Sequence, residues 1–133
     1  MNTQGEGLVR EFYDAFNAQH LDRLVAVLHP EVELQTARGL REGRDEARAW
    51  ATKDPGGGLE QTLVLDQVVT DSRGAHALAR YHKQWHWRED EELARADEMA
   101  ALFTFRDGLI ARWQPFEDPS EARAVFDRLD AVA

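Results

Sequence analysis

Residues 93–116, LARADEMAALFTFRDGLIARWQPF, decide how this chain reads. Met99, Ala101, Phe103 and Phe105 alternate with their neighbours at the period of two that marks a half-buried strand. Asp107-Gly108 interrupts the pattern, and this dipeptide is favoured in type I′ turns because both central residues need positive φ. Leu109–Phe116 then resumes as a strand. A strand as long as Leu93–Phe105 must bend as it twists, so the hairpin belongs to a curved sheet.

The same period runs upstream from Leu59. Gln61–Thr70 and Ala75–Trp87 are further strand candidates, joined through Asp71-Ser72-Arg73-Gly74 and followed by the charged turn Arg88–Glu92. Consecutive hairpins predict an antiparallel meander. Before the meander the period is helical. Leu8, Phe12, Ala15 and Phe16, with Val9 and Tyr13, give one apolar face to a helix over residues 4–19. Leu21, Leu24, Val25 and Leu28 predict a second helix, ended by Pro30 after His29. Val32–Gln35 reads as a short strand. Gly39 and Gly43 bracket an arginine-rich turn before a third helix over Arg44–Lys53, with Ala47, Trp50 and Ala51 inward and Asp54-Pro55-Gly56-Gly57-Gly58 as its stop. Asp118-Pro119-Ser120-Glu121 opens a last helix, whose buried face is Ala122, Val125, Phe126 and Leu129. The layout is α+β: a curved antiparallel sheet wrapped around N-terminal helices, with a C-terminal helix and a pocket at the open end.

Composition narrows the chemistry. The 133 residues suit a single domain, 1–133, and 43% of them are hydrophobic, enough for one core. Acidic residues number 25 and basic ones 16, a net charge of −9 that repels nucleic acid and anionic membrane surfaces. There is no cysteine, which excludes disulfides, thiolate nucleophiles and cysteine-bound metal. No leader-like or membrane-length apolar run is present, and the expectation is a soluble, cytoplasmic protein.

The order of elements, carried by Phe12-Tyr13-Asp14-Ala15-Phe16-Asn17-Ala18, Leu24–Glu33, Arg41–Ala47 and Phe103–Trp113, resembles the nuclear transport factor 2-like superfamily, in its SnoaL-like and ketosteroid-isomerase-like branch. The resemblance implies a curved-sheet cone, a cavity for a small apolar molecule and a homodimer formed through the outer sheet face. It implies function only loosely, since one fold hosts isomerases, cyclases, epoxide hydrolases and binding modules. The roles of a steroid isomerase fall on the wrong residues. Thr36 stands at the base position, Phe12 at the tyrosine position with Tyr13 one residue off, and Ala101 at the acid position.

Other residues carry the candidate chemistry. Asp97 shares parity with Met99, Ala101, Phe103 and Phe105, so a regular strand turns it inward, where burial suits a carboxylate to acid or base work. The competing reading is a rim carboxylate paired with Arg80 or Arg95. Glu98, of opposite parity, belongs outside. Ala75–Trp87 stays open: either His76, Leu78, Arg80, His82, Gln84 and His86 face inward, or Ala77, Ala79, Tyr81, Lys83, Trp85 and Trp87 do. In the first case His82 is a second acid/base candidate and Arg80 a ligand contact. In the second the site is an aromatic box. Tyr13, Trp50 and Trp113 map near the cavity through the resemblance and would orient a ligand, while also serving as core. His82 and His86 are too far apart along a strand to share a metal ion, and no metal or other cofactor is expected. Arg38, Arg41, Arg44 and Arg48 resemble an anion clamp, but interleaved acids make a solvated helix edge the plainer account. The leading expectation is a cofactor-independent isomerase, hydratase or hydrolase. The alternative is a non-catalytic ligand-binding or dimerisation module.

Overall fold

A computed structural model describes residues 4–36, 39–52, 59–87 and 93–131, with the backbone alone at 59, 60, 87, 93–95 and 131. The expected stop at residues 54–58, the turn at 88–92 and Arg38 lie outside the described residues.

Helix α1, Gln4–Ala18, buries Val9, Phe12, Tyr13, Ala15 and Phe16, the face that the helical period predicts. It ends where Gln19 takes φ 58°, and His20 N–H returns to the Ala15 carbonyl at 3.0 Å, a C-terminal cap closed by a left-handed residue. Helix α2, Leu21–Ala26, is shorter than its apolar spacing suggests. Strand β1 already begins at Leu28 and runs to Thr36 through Pro30. The reason is tertiary: Ile110 N–H donates to the Val27 carbonyl at 2.9 Å, and Leu28 pairs with Ile110. Strand pairing takes the backbone groups that another helical turn would need.

Gly39–Glu42, expected as a turn, is strand β2, paired antiparallel with β1, and helix α3 covers Gly43–Ala51. The long strands follow as expected: β3 Leu59–Thr70, β4 His76–Trp87, β5 Leu93–Arg106 and β6 Leu109–Phe116. Asp107 and Gly108 have φ of 55° and 76°, as the I′ turn requires. The six strands run in the order β2-β1-β6-β5-β4-β3. One pairing departs from the expected antiparallel sheet, because β1 and β6 lie parallel and the sheet is mixed. Helix α4, Pro119–Ala131, starts as expected, with Asp118 Oδ1 accepting from Ser120 N–H at 2.9 Å.

Both faces of the sheet are covered, by different helices. Ala77, Ala79, Tyr81, Ala101 and Phe103 pack with the residues of α1 in the main core, on the concave face. Leu78, Ala100 and Leu102 lie on the convex face under Ala122 and Phe126 of α4. A β-bulge joins the two patterns in β3. Leu65 pairs with Tyr81 and Gln67 with Arg80, so Asp66 is the extra residue, and after it the parity reverses. Val68 consequently packs on the main core while Val69 packs under α4. No described helix is long and apolar enough to cross a membrane.

Candidate functional site

The interior of the cone is built from rings. Phe12, Tyr13 and Phe16 descend from α1, Trp50 from α3, and Tyr81, Phe103 and Trp113 rise from the sheet. Trp50 and Trp113 lie 5.0 Å apart between centroids, Tyr13 and Tyr81 5.1 Å, and Phe12 and Phe103 5.5 Å. Tilted and edge-on contacts of this kind suit the ring quadrupole and fill space densely. The indole Nε1–H of Trp113 donates to the Tyr13 hydroxyl oxygen at 3.4 Å. Burial pushes the Tyr13 phenol well above its ordinary pKa, the neighbouring Tyr81 adds to the rise, and the Trp113 hydrogen bond opposes it. Burial likewise raises Tyr81. Both phenols therefore remain neutral donors and acceptors at any physiological pH.

The structure settles which side of β4 faces α1 and which faces α4. Tyr81 is on the concave face, and the next inward position is Lys83, which pairs with Leu63 on one side and Asp97 on the other. Asp97 thus stands on the concave face, two residues from Met99, directly across the strand pair from Lys83. The Lys83 ammonium lies 5.2 Å from the centroid of the Trp85 ring, a cation–π contact at the open end of the strand. Asn17 of α1 reaches the same end, donating from Nδ2 to the Leu63 carbonyl at 2.7 Å and accepting from Leu63 N–H at 2.8 Å.

His82 and Arg80 are on the other face. His82 Nδ1 pairs closely with Asp66 Oδ2, and Arg80 pairs with Glu98, the outward carboxylate of β5. The structure therefore separates the six candidates. Tyr13, Trp50, Trp113 and Asp97 share the concave side, and His82 and Arg80 do not reach it. Arg80 is also not the partner of Asp97. Lys83 holds the position across from that carboxylate, and its only signal in the sequence is the parity it shares with Tyr81. Asp66 carries no local signal, because nothing in Leu65-Asp66-Gln67 announces a bulge.

The remaining arginines do not converge. Arg44 Nε donates to the Leu28 carbonyl at 2.9 Å, and Arg48 pairs with Asp22 at 2.8 Å. Arg41, opposite the inward Leu34, keeps a buried Nε without a hydrogen bond. Thr36 Oγ1 donates to the Gly39 carbonyl at 2.7 Å, closing the β1–β2 turn. Ala101 is fully buried.

Comparison with known proteins agrees with this geometry. No curated protein sequence matches the chain. A proposed polyketide cyclase from Xanthomonas campestris pv. campestris superposes with a TM-score of 0.73 at 21% identity, covering 92% of this chain and 96% of that one. A second proposed polyketide cyclase, from Pseudomonas putida KT2440, gives 0.66 at 24% identity, with coverages of 82% and 87%. An LEH-like epoxide hydrolase of M. tuberculosis gives 0.71 at 16% identity, with coverages of 95% and 86%. At such identities the likeness establishes the fold and leaves the reaction open. The family model of the SnoaL-like domain matches residues 9–113, from α1 through to Trp113 on β6. The chain belongs to the SnoaL-like domain family.

Proposed function

We propose that this protein is a cofactor-independent enzyme that binds a small apolar carbonyl or epoxide compound at the concave face and moves one proton there. One observation carries the reading: among the described residues, Asp97 is the carboxylate that strand register sets on the concave side, beside the ring-lined core. Tyr81 is its diagonal neighbour on that face, ~7 Å away between backbones. A carboxylate and a neutral phenol at this spacing suit opposite ends of one small substrate. In an isomerisation or ring closure, the carboxylate takes a proton from the carbon beside a carbonyl, and the phenol donates a hydrogen bond to the oxygen that gains charge. In epoxide opening, the carboxylate takes the proton of an attacking water while the phenol donates to the ring oxygen. The named polyketide cyclases and epoxide hydrolase of the same fold span both reactions. Tyr13, Trp50 and Trp113 form the floor, and Lys83 supplies the counter-charge at the mouth.

A second reading rests on the rings themselves. Their mutual contacts occupy the waist of the cone, which suits a non-catalytic module whose core is aromatic. A thermal-shift screen of apolar ketones, epoxides, lactones and aromatic acids separates the two, since a ligand that binds the native state raises the melting temperature. A hit that is turned over, with turnover lost in Asp97→Asn, supports the enzyme. A hit turned over equally well by that variant removes Asp97 from the chemistry, and a screen without hits favours the module.

A further inference from the structure

The convex face holds a groove that the concave-side chemistry does not use. Its volume is about 340 Å³, and it lies between the first turns of α4 and the β3–β4 edge of the sheet. Val69 and Leu78 supply its apolar surface, Gln67 and Ser120 add polar atoms, and Arg80 and Arg123 complete the lining. The bulge at Asp66 creates this surface, since without the parity reversal Gln67 and Val69 would turn toward the core. Among the described residues no acidic side chain lines the groove, although the protein carries a net charge of −9.

We propose that this groove is a second ligand site, selective for a small amphipathic monocarboxylate. The charge pattern points to that class. Among the described residues each arginine is held by a solvent-exposed acid: Arg80 by Glu98, and Arg123 by Asp127 through Nε at 3.1 Å. Exposed pairs of this kind are weak and readily exchanged. Among the described residues, the two Nη groups of Arg123 and the Nε and Nη1 of Arg80 make no hydrogen bond. A carboxylate between the guanidiniums would gain charge-assisted hydrogen bonds from both, and its hydrocarbon part would cover Val69 and Leu78. A neutral or cationic compound of the same shape gains only the second term. The site is independent of the concave-face reading, because the sheet separates the two.

Backbone-amide NMR titration of the full chain with phenylacetate tests this, with phenylacetamide and 2-phenylethylamine as controls. Phenylacetate should produce saturable shifts at Val69, Leu78 and Arg123, and the controls should bind at least about tenfold more weakly. R80Q/R123Q should weaken phenylacetate by a similar factor while leaving the far-UV spectrum and melting temperature unchanged, since both side chains are about half exposed. The proposal is overturned by shifts confined to the Trp113 indole, by equal binding of phenylacetamide, or by binding that R80Q/R123Q leaves intact. It is equally overturned if sedimentation shows a dimer whose interface protects the groove amides from exchange.

Discussion

The indole of Trp113 on the last strand donates its hydrogen bond to the phenol of Tyr13 on the first helix, at 3.4 Å and across 100 positions of sequence. Both residues are almost wholly buried, so the bond is made where neither group can fall back on water. Tyr13→Phe removes the acceptor and should cost about 1 kcal/mol. Trp113→Phe also removes ring volume and should cost about 2 kcal/mol. In a double-mutant cycle read by urea unfolding, the coupling should be about 0.5 kcal/mol, low in the usual range because the bond is long. Strict additivity would mean that the two rings only pack.

The chain has two tyrosines, Tyr13 and Tyr81, and burial raises both. Absorbance at 295 nm should therefore stay flat above pH 10, where an exposed tyrosine ionises, and rise only as the protein unfolds. The sign for stability follows. Because the native pKa values exceed the unfolded ones, the native state holds more protons above pH 10, and stability falls as pH rises. Below pH 10 the contribution is fully present. A reversible tyrosinate signal in the folded protein would contradict this.

Asp71, in the β3–β4 turn, has a carboxylate that is almost inaccessible. Burial would raise its pKa. Hydrogen bonds from the His76 ring and the His76 and Ala75 backbone, and the charge of His76, prevail and hold it below the ordinary carboxylate value. The carboxylate lies 2.8 Å from Ala75 N–H and 3.1 Å from His76 Nδ1. A depressed carboxylate pKa stabilises the fold above the unfolded value, near pH 4, and the benefit is lost as pH falls through the native value. Asp71→Asn should cost about 1–2 kcal/mol at pH 7, with the difference from wild type shrinking below pH 4. A difference that stays constant down to pH 2 would rule out the charge as its source.

Gly5 is the second residue of α1, where helix propensity by itself favours alanine over glycine. A Cβ there would stand 2.8 Å from Cε2 of Phe105. Gly5→Ala should consequently destabilise by about 1–2 kcal/mol, because the ring is held between helix and sheet. Phe105→Leu in the same chain should restore most of the loss. Thermal denaturation of the single and double variants checks both expectations.

The sequence stated a great deal about the elements. The helical face of α1, the long strands and the Asp107-Gly108 turn are where the periods and the turn chemistry place them. These features rest on residues close in sequence, and local sterics and alternation suffice to specify them. Asp97 was legible for the same reason, as its inward parity follows from its own strand. The residue opposite Asp97 was not legible, because the sequence pointed to Arg80 or Arg95 beside it, while the position of Lys83 follows from the register of β4 against β5.

Tertiary structure alone decided the rest. Leu78 and Tyr81 are both apolar and both buried, on opposite faces of β4, because α1 covers one side and α4 the other. Alternation shows that a strand has two faces, but when both are covered it cannot say which is inward. The placement of His82 and Arg80 on the convex face follows from that packing. So does the end of α2 at Ala26, where a parallel partner on β6 captures the chain. The bulge at Asp66 is set by the fit of β3 to β4, and it sets Val69 in the lining of the convex groove. By itself the sequence determined the curved sheet, the helices and an inward carboxylate. Which side chains meet on each face was decided by contacts between residues far apart in the chain, whose energies no local pattern encodes.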